Sequence, residues 1–257
     1  MRARDVYGTA SSCCRGAEWL RGDPAAAGFP QPRHVEVWLV SLDRPPSPAA
    51  PLSECLTGAE RARCARFATP ELRRRFANCR ALLRTLLAHR LGIPPAEVPL
   101  ELGIHGKPFV RSDGPGRRLR FNVSHSAGLA AIAVAADVAV GVDIESTRAD
   151  IEYDEVARSF FTAPEMAALD AVSGSDRIDV FYRIWTRKEA ALKAFGVGIG
   201  GADPLQIPLV RVIRERPERG ALGASVLGLL DLPAVQGFAG AVAVPAPDWS
   251  ASWKVWG

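Results

Sequence analysis

Lysine is almost missing from this chain. Of 32 basic residues only four are lysine, Lys107, Lys188, Lys193 and Lys254, so arginine supplies the general positive surface and each retained lysine invites a reason. Long apolar runs are missing too: no uninterrupted stretch reaches the ~20 residues of a membrane span. The opening residues, MRARDVYGTASSCCRGAEWL, carry positive charge without an apolar signal core. A soluble cytoplasmic protein with no membrane partner is the expectation. Cysteine is scarce and odd in number: Cys13 and Cys14 are adjacent, while Cys55, Cys64 and Cys79 are scattered. That spacing excludes a disulfide framework and a zinc site, and reduced, structural thiols are expected.

What is present is enough apolar material to build a sizeable core. At 257 residues and 48% hydrophobic content, the chain can fold as one large domain or two small halves. The net charge of +4 and pI near 9.0 permit an acidic partner. Residues 1–33 lack periodicity and are treated as an N-terminal extension of uncertain order. Residues 34–42, HVEVWLVSL, alternate as a strand, and the proline-rich stretch after them reads as a loop. A long basic helix follows, capped by Thr69, started by Pro70 and ended by Gly92, with Leu72, Phe76, Cys79, Leu83 and Leu86 as its apolar stripe.

From residue 119 the pattern turns to β. Residues 129–135 and 138–144 are apolar runs across a two-residue connection, which predicts an antiparallel hairpin. A helical region covers about 151–195, and strand-like runs at 205–214, 224–230 and 237–244 close the chain. This order predicts an α+β fold of two similar halves, residues 34–147 and 148–257, the second ending in a short tail.

Four stretches carry chemistry. In VGVDIE, alternation points Asp143 and Glu145 to one face; the pair is either a solvated strand end or a site for a hard cation such as Mg²⁺ with phosphate oxygens. FNVSHS holds Ser124 and His125 but no serine-hydrolase elbow, so either a phosphate-binding turn or a hydroxyl turn with a capping imidazole fits. GKPF offers Lys107 on a tight turn as a mobile positive charge. In FYRIWTRKEAALKAFG, Phe181, Ile184, Leu192 and Phe195 share a helical stripe with Lys188 in its middle, and Trp185, Glu189 and Lys193 run along its edge. Lys188 there is either a snorkelling lysine or a functional one. The stretch from Arg61 to Arg90 holds nine arginines, most expected on a solvated helix face; Arg75 borders the stripe and can point into a cleft. These arginines surround the helix without an aromatic platform, so no nucleic-acid partner is expected.

Taken in order, GKPF, FNVSHS, VGVDIE and WTRKEAALK, with ARF at residues 65–67 and RSFFTAPE at 158–165, resemble the motif series of the 4′-phosphopantetheinyl transferase superfamily. The single-chain, surfactin-synthetase-activating type is the nearest in pattern, over about residues 53–200. The resemblance implies a pseudo-twofold α+β fold with coenzyme A between the halves, Mg²⁺ on its pyrophosphate, and the serine of an apo acyl or peptidyl carrier protein as acceptor. It implies Asp143, Glu145 and Glu189 as metal ligands, Glu189 also as base, and Lys193 and Lys188 as catalytic and phosphate-binding charges. Arg75, Ser124 and His125 match positions at the coenzyme's 3′-phosphate end, and Lys107 matches a lysine near phosphate. A monomer is implied by length. Ile144 stands where some relatives carry a polar ligand, and Glu60 where some carry a basic residue. The alternative reading is a non-catalytic coenzyme A or nucleotide sensor on the same fold.

Overall fold

In the computed structural model, residues 19–44, 52–103, 106–148, 152–196, 227–246 and 248–256 are described. The strand expected at 205–214, and the start of the one at 224–230, lie outside them. After a two-residue strand, β1 (Leu20–Arg21), comes β2 (His34–Ser41), whose alternating side chains serve two cores at once. Trp38 and Val40 join one core, while Val35, Val37 and Leu39 face the opposite way. The short helices α1 (Leu52–Cys55) and α2 (Gly58–Ala65) lead into α3 (Pro70–Leu91).

Helix α3 starts and stops as its sequence directs. The Thr69 hydroxyl accepts from Leu72 N, Pro70 opens the first turn, and Gly92 ends the helix in the left-handed conformation at φ 67°. Its stripe is buried only from Asn78 onward; Leu72 remains 45% exposed because the first turns project beyond the sheet. The basic residues of this region are largely paired: Arg74 and Arg75 with Asp43, Arg80 and Arg84 with Glu60, and Arg90 with Glu36. Glu60 is therefore a structural anchor, and it also closes a capping box with Thr57 at the start of α2.

A small hairpin, β3 (Leu100–Leu102) and β4 (Pro108–Val110), precedes β5 (Leu119–Ser126) and β6 (Leu129–Ala136). The hairpin expected between 129–135 and 138–144 does not form: β6 pairs back onto β5 instead. Asp137 takes φ 62°, its N–H bonds Arg118 O at 2.7 Å, and the Arg118 guanidinium clasps its carboxylate. The chain is thereby redirected, and β7 (Gly141–Ser146) enters a second sheet. Helices α4 (Tyr153–Phe160), α5 (Ala163–Asp170) and α6 (Gly174–Phe195) follow, then β8 (Gly228–Asp231), β9 (Phe238–Val244) and β10 (Ser250–Trp256).

The strand orders are β1-β10-β2-β6-β5 and β7-β9-β8. Their facing surfaces meet through Val35, Val37, Ala131 and Ala133 on one side and Val142, Ile144, Val242 and Val244 on the other. Helix α3 covers the outer face of the first sheet, and α6, also 22 residues long, covers the outer face of the second. This is the expected α+β pair of halves. The chain crosses its expected division twice: β7, expected in the first half, pairs in the second sheet, and β10, read from sequence as a tail, runs parallel to β2 in the first sheet, with β1 at the edge. Alternation explains the place of β10, since Trp253 and Val255 join the core between the sheets while Trp256 joins the α3 core. Among the described residues no helix is long and apolar enough to cross a membrane.

Helix α6 touches β7 where β7 has no side chain. A Cβ on Gly141 would lie 2.0 Å from Ala190 O and 2.4 Å from Ala194 N, both backbone atoms that cannot yield. Gly141→Ala should therefore lower the melting temperature by roughly 5 °C or more. An unchanged melt followed by circular dichroism would contradict this packing.

Candidate functional site

Strand β5 meets β7 through a period-two row of polar side chains, although the strands belong to different sheets. The Asn122 Oδ1 accepts from Val142 N at 2.9 Å, the Ser124 hydroxyl donates to Asp143 Oδ1 at 2.7 Å, and the Ser126 hydroxyl accepts from Ser146 N at 3.1 Å. Residues 122, 124 and 126 share a strand face by alternation, so one local pattern stitches the halves together. His125 points the other way. It continues the side on which Phe121 and Val123 pack toward α3.

The middle stitch is the chemically dense one. Asp143 is 1% exposed, and its Oδ1 also accepts from Lys193 Nζ at 2.6 Å, while that ammonium donates to the Ser124 hydroxyl at 3.1 Å. The other carboxylate oxygen, Oδ2, is buried and has no hydrogen-bond partner. Glu145 lies two residues along β7, and Glu189 one turn before Lys193 on α6. Burial raises the pKa of both glutamates, Asp143 adds repulsion to each, and Lys193 partly offsets the shift; for Glu145 a Ser126 hydrogen bond offsets it too. The three acids thus feel one another across the junction. Among the described residues, no three His, Cys, Asp or Glu side chains are placed so that together they could hold a metal ion, so Asp143, Glu145 and Glu189 would have to converge further to do so.

The two lysines of the helix do different things. Lys193 enters this cluster, as its edge position predicts. Lys188 does not: it is 1% exposed, and its ammonium meets Glu165 Oε2 of α5 at 2.9 Å. Its ammonium is held inside the fold and does not snorkel to solvent. A buried ammonium needs a counter-charge, and Glu165, wholly buried and also capping α5, supplies it. Trp185 likewise packs inward, against Phe160 and Phe181.

The expected trio Arg75, Ser124 and His125 is not assembled as a unit. Adjacent strand residues face opposite sides, so Ser124 is buried with Asp143 while His125 stays on the α3 side. Arg75 grips Asp43 through two bonds of 2.9 and 2.8 Å and meets Glu71 at 2.7 Å. Leu42 N bonds Gly128 O, which sets Asp43 and its arginine beside the turn that follows β5. Desolvation and, after it, the Lys193 charge hold the His125 imidazole below its usual pKa. Lys107 is occupied as well: its ammonium donates to Val140 O at 3.0 Å and Lys193 O at 2.6 Å. Burial, aided by Arg120 and Lys193, brings its pKa down to about 8.

Several contributors went unnoticed in the sequence. Asn122 and Ser126 were legible, because N-x-S-x-S on a strand is a polar row on one face. Asp43 and Glu165 were not, since their partners lie on other elements far along the chain.

Residues 139–229 match the family model described as "4'-phosphopantetheinyl transferase superfamily", and residues 47–137 match "4'-phosphopantetheinyl transferase, N-terminal". Among curated proteins, "4'-phosphopantetheinyl transferase HetI" of Nostoc sp. is 34% identical over 215 residues, covering 84% of this chain and 89% of the relative. A "Phosphopantetheinyl transferase" of Thraustochytrium sp. is 34% identical over 183 residues, 66% of this chain and 63% of the relative. A solved holo-(acyl-carrier-protein) synthase from Bacillus anthracis, in complex with CoA (3',5'-ADP), aligns with 42% of this chain and 94% of its own at 23% identity and TM-score 0.32, a likeness without weight for function. The chain belongs to the 4′-phosphopantetheinyl transferase superfamily and is an enzyme of that transferase class.

The raised glutamate pKa values have a sign that can be measured. The folded protein holds those protons more tightly than the unfolded chain does. Both groups therefore withdraw stability as pH rises through the unfolded value toward the folded one. In metal-free buffer, Glu145→Gln combined with Glu189→Gln should melt roughly 1–4 °C above the unsubstituted protein near pH 7.5, with the gain vanishing near pH 4. A pH-independent difference in scanning calorimetry would refute the coupling.

Proposed function

We propose that this enzyme transfers the 4′-phosphopantetheine moiety of coenzyme A to a serine of an apo acyl or peptidyl carrier protein, using Mg²⁺ and releasing 3′,5′-ADP. The single-chain, surfactin-synthetase-activating type is the branch we assign it to. One observation carries the reading: Asp143 offers a buried, unpartnered Oδ2 while its Oδ1 is already held by Ser124 and Lys193. A buried carboxylate oxygen without a donor is costly unless a ligand completes it.

The donor set fits a hard divalent cation. Asp143, Glu145 and Glu189 supply oxygen only and would hold the ion, which would relieve their mutual repulsion; apolar Ile144 between the two β7 acids would add no ligand. When bound, the ion supplies positive charge to the coenzyme's pyrophosphate. Lys193 holds its ammonium beside Asp143, ready to face the charge that grows on the departing phosphate oxygen. The carrier serine oxygen bonds to the β-phosphorus, the bond from that phosphorus to the bridging oxygen breaks, and 3′,5′-ADP leaves. Glu189, whose pKa is raised by burial, takes the serine proton directly or through one water. His125 and Arg75 lie toward the α3 side and receive the 3′-phosphate, with Arg75 sharing its fork between phosphate and Asp43. Lys188, closed off against Glu165, serves the alignment of α6 and takes no part in phosphate binding.

The test is incubation of the protein with coenzyme A, Mg²⁺ and a panel of apo carriers, followed by intact mass. Asp143→Ala and Glu189→Ala should each lower turnover by about 10²-fold or more, and a chelator should abolish it. Chelator-independent transfer would overturn the metal reading. Coenzyme A binding without modification of any carrier would favour a sensor.

A further inference from the structure

We propose that Lys107 is a positioning residue: it clamps the last turn of α6 to β7 across the junction of the halves and thereby aims Lys193 at Asp143. Lys107 belongs to the first half, where the β3–β4 turn presents it; Gly103 N bonds Lys107 O at 2.9 Å, and Gly106 takes φ 76°. Both acceptors of its ammonium belong to the other side of the junction. Val140 O immediately precedes Gly141, and Lys193 O belongs to the final turn of α6.

Those two carbonyls flank the point where helix and strand backbones come closest. At Gly141 a Cβ would stand 2.0 Å from Ala190 O and 2.9 Å from the Lys193 carbonyl carbon, so α6 rests on bare backbone there. The last carbonyls of a helix have no partner within it and attract positive charge. Gly196 N reaches Lys193 O at 3.2 Å, and the Lys107 ammonium adds a shorter bond to the same oxygen. Lys193 is thus fixed at both ends: its backbone by Lys107, its side chain by Asp143 and Ser124. With the ammonium spent on two carbonyls of the packed α6–β7 side, Lys107 meets phosphate only by abandoning this clamp.

The inference rests on the transferase reading above, and its test separates the two. Wild type, Lys107→Met and Lys107→Gln are compared by single-turnover transfer to an apo carrier, by calorimetric binding of coenzyme A, and by hydrogen exchange over residues 190–196. Lys107→Met should lower kcat by about 10–10²-fold, the scale of a small misplacement, while coenzyme A affinity stays within about 3-fold. Exchange over 190–196 should quicken, and Lys107→Gln, which keeps a donor, should recover part of both effects. If melting shows the Met variant unfolded, the Gln variant decides by the same readouts. A 10-fold loss of coenzyme A affinity with unchanged exchange would make Lys107 a phosphate ligand and overturn the clamp. Wild-type kcat together with wild-type exchange would also overturn it. Absence of transfer by the wild type would refute the transferase reading alone, because the exchange contrast still judges the clamp.

Discussion

One carboxylate oxygen organises this protein's functional site. Asp143 Oδ1 receives a hydroxyl from β5 of the first half and an ammonium from α6 of the second. An acid at the junction of two halves is tolerable only if both contribute to its solvation. That requirement sets the register of β7 against β5, and the flanking Asn122 and Ser126 bonds hold it. It also leaves Oδ2 and the two nearby glutamates crowded, a local departure from good packing of the kind expected where a ligand is awaited.

Lysine scarcity becomes intelligible once each of the four is placed. Lys193 holds Asp143, Lys188 neutralises Glu165, Lys107 spans the halves, and Lys254 lies over Trp38 and against Glu36. Every one makes a partly or fully buried contact in which a compact, rotatable ammonium meets scattered oxygens or a ring face rather than one planar carboxylate fork. The arginines meanwhile form planar forks on Asp43, Asp137 and Asp231. Charge type follows the geometry of the partner.

Much of this was legible in the sequence where the signal is local. Thr69, Pro70 and Gly92 bounded α3, and the D-x-E alternation put Asp143 and Glu145 on one face. The failures were equally physical. The family resemblance groups Ser124 with His125 at one phosphate, whereas strand alternation points adjacent residues to opposite faces. Lys188 sits on α6 and the carboxylate it meets sits on α5, a pairing that one helix's periodicity does not contain. Residues 250–256 alternate as a strand, yet their pairing with β2 joins opposite ends of the chain, beyond what local periodicity can express. Asp137 redirected β7 through a backbone conformation that its residue type permits but does not demand.

The central claim is that Asp143, oriented by Ser124 and Lys193, is the anchor of a cation site between the halves. Titration with Mn²⁺ in the presence of coenzyme A, followed by electron paramagnetic resonance, addresses it directly. The account predicts one bound ion per wild-type chain, loss of that ion in Asp143→Asn, and weaker binding in Ser124→Ala. Binding by Asp143→Asn equal to that of the wild type would contradict it.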